Sequence, residues 1–225
     1  MNLYLFAIKE DIRQPLNIIL IILLPIPVLF IPGHPNSYPF GLSLYGMIII
    51  FSSFLLSRPV VEDRMKGIIL RIAASPISTL RYLSSHLLGY LSLLAIQISI
   101  LLLGSLVIHG DAVTGRLALF SLYLTFGMMC LSLTLAWNVL FKSYNISFGL
   151  FSGLASIMCL FSGVSLPLFL LPSSLIRYIM FLPTYWLPYG LDAWFNGNTP
   201  AFIQAHAILL VYACIFLLIG SKRRL

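Results

Sequence analysis

Along this chain, long apolar runs alternate with short clusters of charged and turn-forming residues, and the spacing between successive Asp, Glu, Lys or Arg residues measures the alternation. The long charge-free intervals are residues 14–57, 82–110, 117–141, 143–176 and 193–221. A helix needs roughly 20 mostly apolar residues to cross the hydrocarbon core of a bilayer. The first interval is too long for one crossing, and Pro32-Gly33-His34-Pro35-Asn36-Ser37 with Pro39 divides it into two helices. Each of the other four supplies one. The pattern predicts an all-α integral membrane protein with six transmembrane helices, forming a single domain over residues 1–225.

The shorter interval 178–191 contains Pro183 and Pro188, and it is too short and too broken to cross. Irregular backbone at membrane depth is tolerated where protein or a water-filled cavity surrounds it. Residues 163–192 are therefore expected to form a re-entrant outer segment between spans 5 and 6. Tyr178, Tyr185, Trp186, Tyr189 and Trp194 are expected to line the outer interface as an aromatic belt. At the other end of the chain, residues 1–15 can form an amphipathic N-terminal helix, with Leu3, Phe6 and Ala7 towards lipid and Lys9, Glu10 and Arg13 towards water. A frayed tail fits the same residues. The first apolar run lacks a small-residue cleavage site and leads into another span, so insertion through the first helix is expected in place of a removable signal peptide.

Composition supports the membrane assignment, because 60% of the residues are hydrophobic and 8% are charged. A soluble domain of this size could not cover that much apolar surface. Lys and Arg are retained on the cytoplasmic side. With both termini cytoplasmic, that side carries Lys9, Arg13, Arg58, Arg64, Lys66, Arg71, Arg81, Lys142, Lys222, Arg223 and Arg224, and Arg116 and Arg177 fall outside. The net charge of +7 follows from this topology, with contact to anionic lipid as a further contribution, and gives no ground for nucleic-acid binding. The expected location is a plasma membrane, the bacterial inner or cytoplasmic membrane.

Candidate chemistry is sparse. Cys130, Cys159 and Cys214 fall inside expected spans without paired spacing and are expected to act as small packing residues. His34, His86, His109 and His206 are isolated, so no metal site is expected. His86 and His206 lie near span ends, where an interfacial ring is the expected role, with a proton relay as the functional alternative. The expected membrane cores contain neither Asp nor Glu. The lysines follow Ile8, Met65, Phe141 and Ser221, so a Gly-Lys phosphate-binding loop cannot form. The chain is accordingly expected not to be an enzyme, to hold no cofactor and to have no catalytic residues.

Charge concentrates between Arg58 and Tyr82, in the loop between spans 2 and 3. Pro59 can start a helix because its missing N–H would be unpaired there, and Glu62 and Asp63 near the beginning complement the positive end of the helix dipole. Ile68, Ile69 and Ile72 form an apolar stripe, and Ser75-Pro76 ends the helix because the residue before proline is pushed out of the helical region. A short amphipathic helix along the membrane surface is expected over residues 58–81. An ordinary basic loop accounts for the charge as well, but not for the acidic pair, the Gly67 and the ordered stop.

Asp63, Arg64, Gly67, Arg71, Ser75, Pro76, Ile77 and Ser78, with Tyr82 opening the next helix, resemble the cytoplasmic coupling loop in permeases of the type-2 ATP-binding-cassette exporter family. Ser162, Gly163, Pro167, Leu171, Pro172 and Pro183 resemble that family's pattern near the outer end of span 5. The chain departs from the family at Met65, Ile68 and Leu70, where many members carry polar residues. The resemblance implies that Glu62, Asp63, Arg64, Gly67, Arg71, Ser75, Pro76 and Ser78 couple to a partner ATPase, and that ATP and Mg are used by that partner. Gly163, Pro167, Pro172 and Pro183 would then belong to an outer gate in the re-entrant segment.

In span 5, Gly149 and Gly153, four residues apart like Ser152 and Ser156, place small residues where another helix can approach closely. The resemblance implies a dimer interface through the first and fifth spans, with a second copy of this chain or a homologous permease, and two ABC ATPase subunits. The outer loops are small, which favours export over capture from outside. The expected substrate is an antimicrobial peptide, a drug or another amphipathic molecule, with a lipid-linked glycan next. A membrane-embedded enzyme and an energy-independent channel subunit are the readings from other classes.

Overall fold

The computed structural model describes residues 19, 21–31, 40–65, 79–110, 115–166 and 173–222. Their helices, in chain order, are α1 (Pro25–Leu29), α2 (Phe40–Leu56), α3 (Arg58–Met65), α4 (Thr79–His109), α5 (Arg116–Asn138), α6 (Tyr144–Phe161), α7 (Ser173–Ile179), a 3₁₀ turn (Pro183–Tyr185), α8 (Trp186–Phe195) and α9 (Thr199–Lys222). Among the described residues, five helical stretches are long and apolar enough to cross a membrane: Phe40–Asp63, Leu80–Ile108, Arg116–Asn138, Tyr144–Phe161 and Thr199–Lys222. The remaining expected crossing, the first, falls where residues 19 and 21–31 are described. There Leu29 of α1 lies over Gly104 of α4, and the Val28 carbonyl lies over Gly41 of α2. The amphipathic segment expected over residues 1–15 lies outside the described residues.

Lipid tails are as apolar as leucine, so close packing and interhelical hydrogen bonds hold membrane helices together more than hydrophobicity does. Three contacts of this kind set α2 against α5. Tyr123 donates to the Leu42 carbonyl at 2.7 Å, Thr134 to the Ser53 carbonyl at 3.3 Å, and Asn138 to Ser57 Oγ at 2.8 Å. Each joins residues 81 apart in sequence, so the two helices run parallel and in register. Contacts to α4 run in the opposite sense: Gln97 donates to Ser52 Oγ, and Tyr82 donates to Asp63. Crossings that alternate in this way leave the ends of α2, α5 and α9 and the starts of α4 and α6 on one side.

Helix α5 is the hub. Leu119, Leu122, Tyr123, Phe126, Met129, Cys130, Leu131 and Leu135 are all fully buried. It packs along α9, α4 and α2. The α9 backbone comes close at Gly220, where an added Cβ would stand 3.2 Å from the Ala136 Cα. In the α2 crossing 67% of the apolar window is buried within the chain, against 22% in α9, so α2 is central and α9 is peripheral. Exposed apolar side chains such as Leu103, Ile146, Leu150, Ile157 and Ile203 coat the perimeter, as a lipid-facing surface requires.

The α2–α3 junction differs from the expected loop. The helix of the charged segment begins at Arg58, separated from α2 by Ser57 alone, and Val60 and Val61 are buried. Pro59 was expected to begin a separate surface helix, but losing its N–H removes one rung of the ladder without ending it. Ser57 N–H still donates to the Ser53 carbonyl at 3.1 Å, and Val60 N–H donates to the Ser57 carbonyl at 3.2 Å. Glu62 and Asp63 consequently lie beyond the first turn of α3, where the dipole contribution expected for them is small.

Candidate functional site

The end of the bundle that carries Arg58, Arg81, Lys142 and Lys222 gathers an unusual amount of buried polar chemistry. Ser57, Asn138 and Ser147 are fully buried. Asn138 Nδ2 donates to Ser57 Oγ at 2.8 Å, and Asn138 Oδ1 accepts from Ser147 Oγ at 2.8 Å. One amide therefore joins the α2–α3 joint, the last residue of α5 and the first turn of α6. Trp137 Nε1 donates to the Ser147 carbonyl at 3.3 Å and ties α5 to α6 a second time. A buried amide must be paired at both ends or it costs about 1–3 kcal/mol. Here it is paired at both.

Above this node, Arg58 makes an ion pair with Glu62, Nε to Oε1 at 2.7 Å, and its guanidinium lies 5.0 Å from the centre of the Tyr144 ring. Tyr144 in turn lies against Phe54 and Phe148, with ring centres 5.8 and 6.2 Å away. On the other flank Tyr82 of α4 donates to Asp63 Oδ2 at 3.0 Å, and Asp63 is almost completely buried. His86 packs edge-on against Tyr82, and its Nδ1 lies 3.0 Å from the Tyr90 hydroxyl. His86 is thus not the interfacial ring expected from sequence: it is buried in a ladder of polar aromatic residues. His206, at the far end of α9, contacts Ser121 Oγ of α5 at 3.1 Å and pins those two helices.

Of the residues expected to couple to a partner, Glu62 pairs with Arg58 inside α3, and Asp63 accepts from Tyr82 of α4. Arg64 belongs to α3. Gly67, Arg71, Ser75, Pro76 and Ser78 lie outside the described residues. Sequence reasoning missed Ser57, Asn138 and Ser147. The available signal was modest: an amide one turn before Lys142, in an otherwise apolar stretch.

The opposite end is closed by a folded-back segment. After α6 the chain turns at Gly163, whose φ of 86° is a conformation that side-chain-bearing residues rarely adopt. Ser43 of α2 donates to the Gly163 carbonyl at 3.1 Å. Pro183 lies in the 3₁₀ turn and is buried, and Thr184 donates back to the Met158 carbonyl of α6 at 3.3 Å. The turn feeds into α8, whose Leu187 packs over Gly46 of α2. Pro167 and Pro172 lie outside the described residues. Tyr185 and Trp186 are 4% and 8% exposed, so they form packed core where an aromatic belt was expected. Their ring centres lie 5.5 Å apart, and Tyr189 stacks on Tyr185 at 5.7 Å. Burial, and then the neighbouring Tyr189 and Asp192, raise the Tyr185 phenol above its ordinary range and keep it neutral. Tyr178, at 72% exposed, remains able to meet a bilayer interface.

Gly149 and Gly153 lie on a face of α6 that is open among the described residues, with no neighbour from another element within 4 Å of the space a Cβ would fill. Cys130 and Cys159 are buried free thiols, and Cys214 is an exposed one.

These features define a multi-pass, all-helical membrane protein with a charged junction at one end and a folded-back cap at the other. The family described as ABC-2 family transporter protein matches residues 11–222, nearly the whole chain, and the chain belongs to that family. It is a membrane-spanning permease subunit of an ABC transporter, and membership implies association with ABC ATPase partners. A comparison with individually curated proteins finds no match.

Proposed function

We propose that the chain is the membrane subunit of an ATP-driven exporter, forming half of the translocation path and coupling to two separate ABC ATPase subunits, with ATP and Mg bound there. The second half is another copy or a homologous permease, both termini are cytoplasmic, and the location is the bacterial inner or cytoplasmic membrane. The chain itself is not an enzyme. The substrate class we favour is an antimicrobial peptide, a drug or another amphipathic molecule, because the helices offer apolar surface and few charges.

The observation that carries this reading is the charged α3 junction, where Asp63 accepts from Tyr82 of α4 and Arg58, paired with Glu62 inside α3, lies over Tyr144 of α6, in a chain that belongs to the ABC-2 family. A push on such a segment reaches more than one crossing, as alternating access requires. The test is gentle extraction of a tagged permease. A stoichiometric ATPase should co-purify, and its activity in lipid should depend on this chain. Replacing Gly67 or Arg71 should reduce coupled transport while membrane insertion is retained. Absence of the ATPase would overturn the ATP-driven reading, and unchanged transport in both variants would overturn the docking role of the loop.

A further inference from the structure

We propose that Asn138 is the positioning residue that carries movement of the α3 segment into α6, an inference that rests on the ATP-driven reading above. Beside the exposed contact of Arg58 with the Tyr144 ring of α6, helix α3 has two buried routes into the bundle. One leads through Asp63 and Tyr82 to α4, its neighbour in sequence. The other crosses to helices more than 70 residues further along the chain, through Ser57, Asn138 and Ser147.

The second route has the geometry of a rigid link. Its three polar side chains are fully buried. The amide is planar, and both its ends are engaged at 2.8 Å, with a further contact from Nδ2 to the Ser57 carbonyl at 3.4 Å. Ser57 is the single residue separating α2 from α3, and Ser147 lies in the first turn of α6. A displacement of α3 that kept these bonds would have to carry the start of α6 with it. Breaking them would leave a buried amide unpaired, so the packed interior favours moving the three elements together. The face of α6 that carries Gly149 and Gly153 is not covered by any of the described residues, so motion delivered there reaches a surface open among them.

The link is tested in the complex that co-purifies with the tagged permease, in a Cys214→Ser background that removes the exposed native thiol. Asn145, an exposed residue in the first turn of α6, is replaced by Asn145→Cys, and its reaction rate with N-ethylmaleimide is measured without nucleotide, with Mg-ATP, and with Mg-ATP plus vanadate. ATP should change the rate at this position when Asn138 is intact. With Asn138→Ala the ATP-dependent change should be lost while the ATPase stays bound and hydrolysis continues. A purely structural role for Asn138 would not separate these readouts. Ser147→Ala removes one hydroxyl and severs the same link with less disturbance, so it serves where Asn138→Ala fails to assemble. A full ATP response in either assembled variant would overturn the inference. No response with Asn138 intact, while the bound ATPase hydrolyses ATP, would also overturn the inference, whereas absence of a co-purifying ATPase would overturn the ATP-driven reading itself.

Discussion

Single residues decide where this bundle can close. Gly115 precedes α5 with φ of +68°, and a Cβ placed there would stand 2.1 Å from the Trp194 ring. Both the left-handed backbone and the indole above it exclude a side chain. Gly115→Ala is expected to lower stability by about 1–3 kcal/mol from backbone strain, with the ring overlap adding to it. Thermal unfolding of the purified chain in detergent measures this, and an unchanged midpoint would show that the α5 start and α8 can part at little cost. Glycine at 115 was readable as a turn former, but its contact with an indole 79 positions later was not. The same holds for Asn138: a polar residue near a span end is visible in sequence, and its two partners are not.

At the scale of elements, the apolar intervals located the helices well where they are described. The interval 117–141 became α5 (Arg116–Asn138), and 193–221 became α9 (Thr199–Lys222). The interval 143–176 yielded a shorter helix, Tyr144–Phe161, because Gly163 turns the chain back. At 1.5 Å per residue its 18 residues extend about 27 Å, close to the thickness of a hydrocarbon core. The open α6 face yields a prediction that separates folding from assembly. Gly149→Ala and Gly153→Ala meet no other element among the described residues, and alanine favours a helix by about 0.5–1 kcal/mol. Each should leave the isolated permease as stable as before or slightly more so. Gly149→Leu and Gly153→Leu should instead weaken pairing with a second permease, read by cross-linking in membranes. If pairing survives both leucine variants, the dimer interface lies on another face.

For the whole molecule, the distribution of basic residues predicts an orientation that can be tested from either side of the membrane. Lys142 and Lys222 share the end of the junction, and the Asn196 turn lies at the other. A cysteine introduced by Lys142→Cys should react with an impermeant thiol reagent in inverted vesicles, and one introduced by Asn196→Cys should react in intact cells. The reverse result would invert the topology and place the charged segment away from any cytoplasmic ATPase. Of the six crossings expected, five are found among the described residues; α1, which packs on α4 and α2, is a helix of five residues in the stretch where the first was expected.

Sequence by itself determined that this is a helical membrane protein, roughly where its crossings lie, and which loop concentrates charge. Those properties follow from the length of apolar runs and from the cost of burying charge in hydrocarbon, both of which are local and one-dimensional. It also carried the family resemblance through residues such as Asp63, Gly163 and Pro183. Tertiary structure alone decided which helix is the hub, because α2, α5 and α9 are all apolar and their composition does not mark an inward face. It also decided that α3 continues α2, that Tyr185 and Trp186 turn inward, and that Asn138 links helices distant in sequence. These outcomes depend on which polar groups find partners across helices, and that matching exists only once the chain has folded.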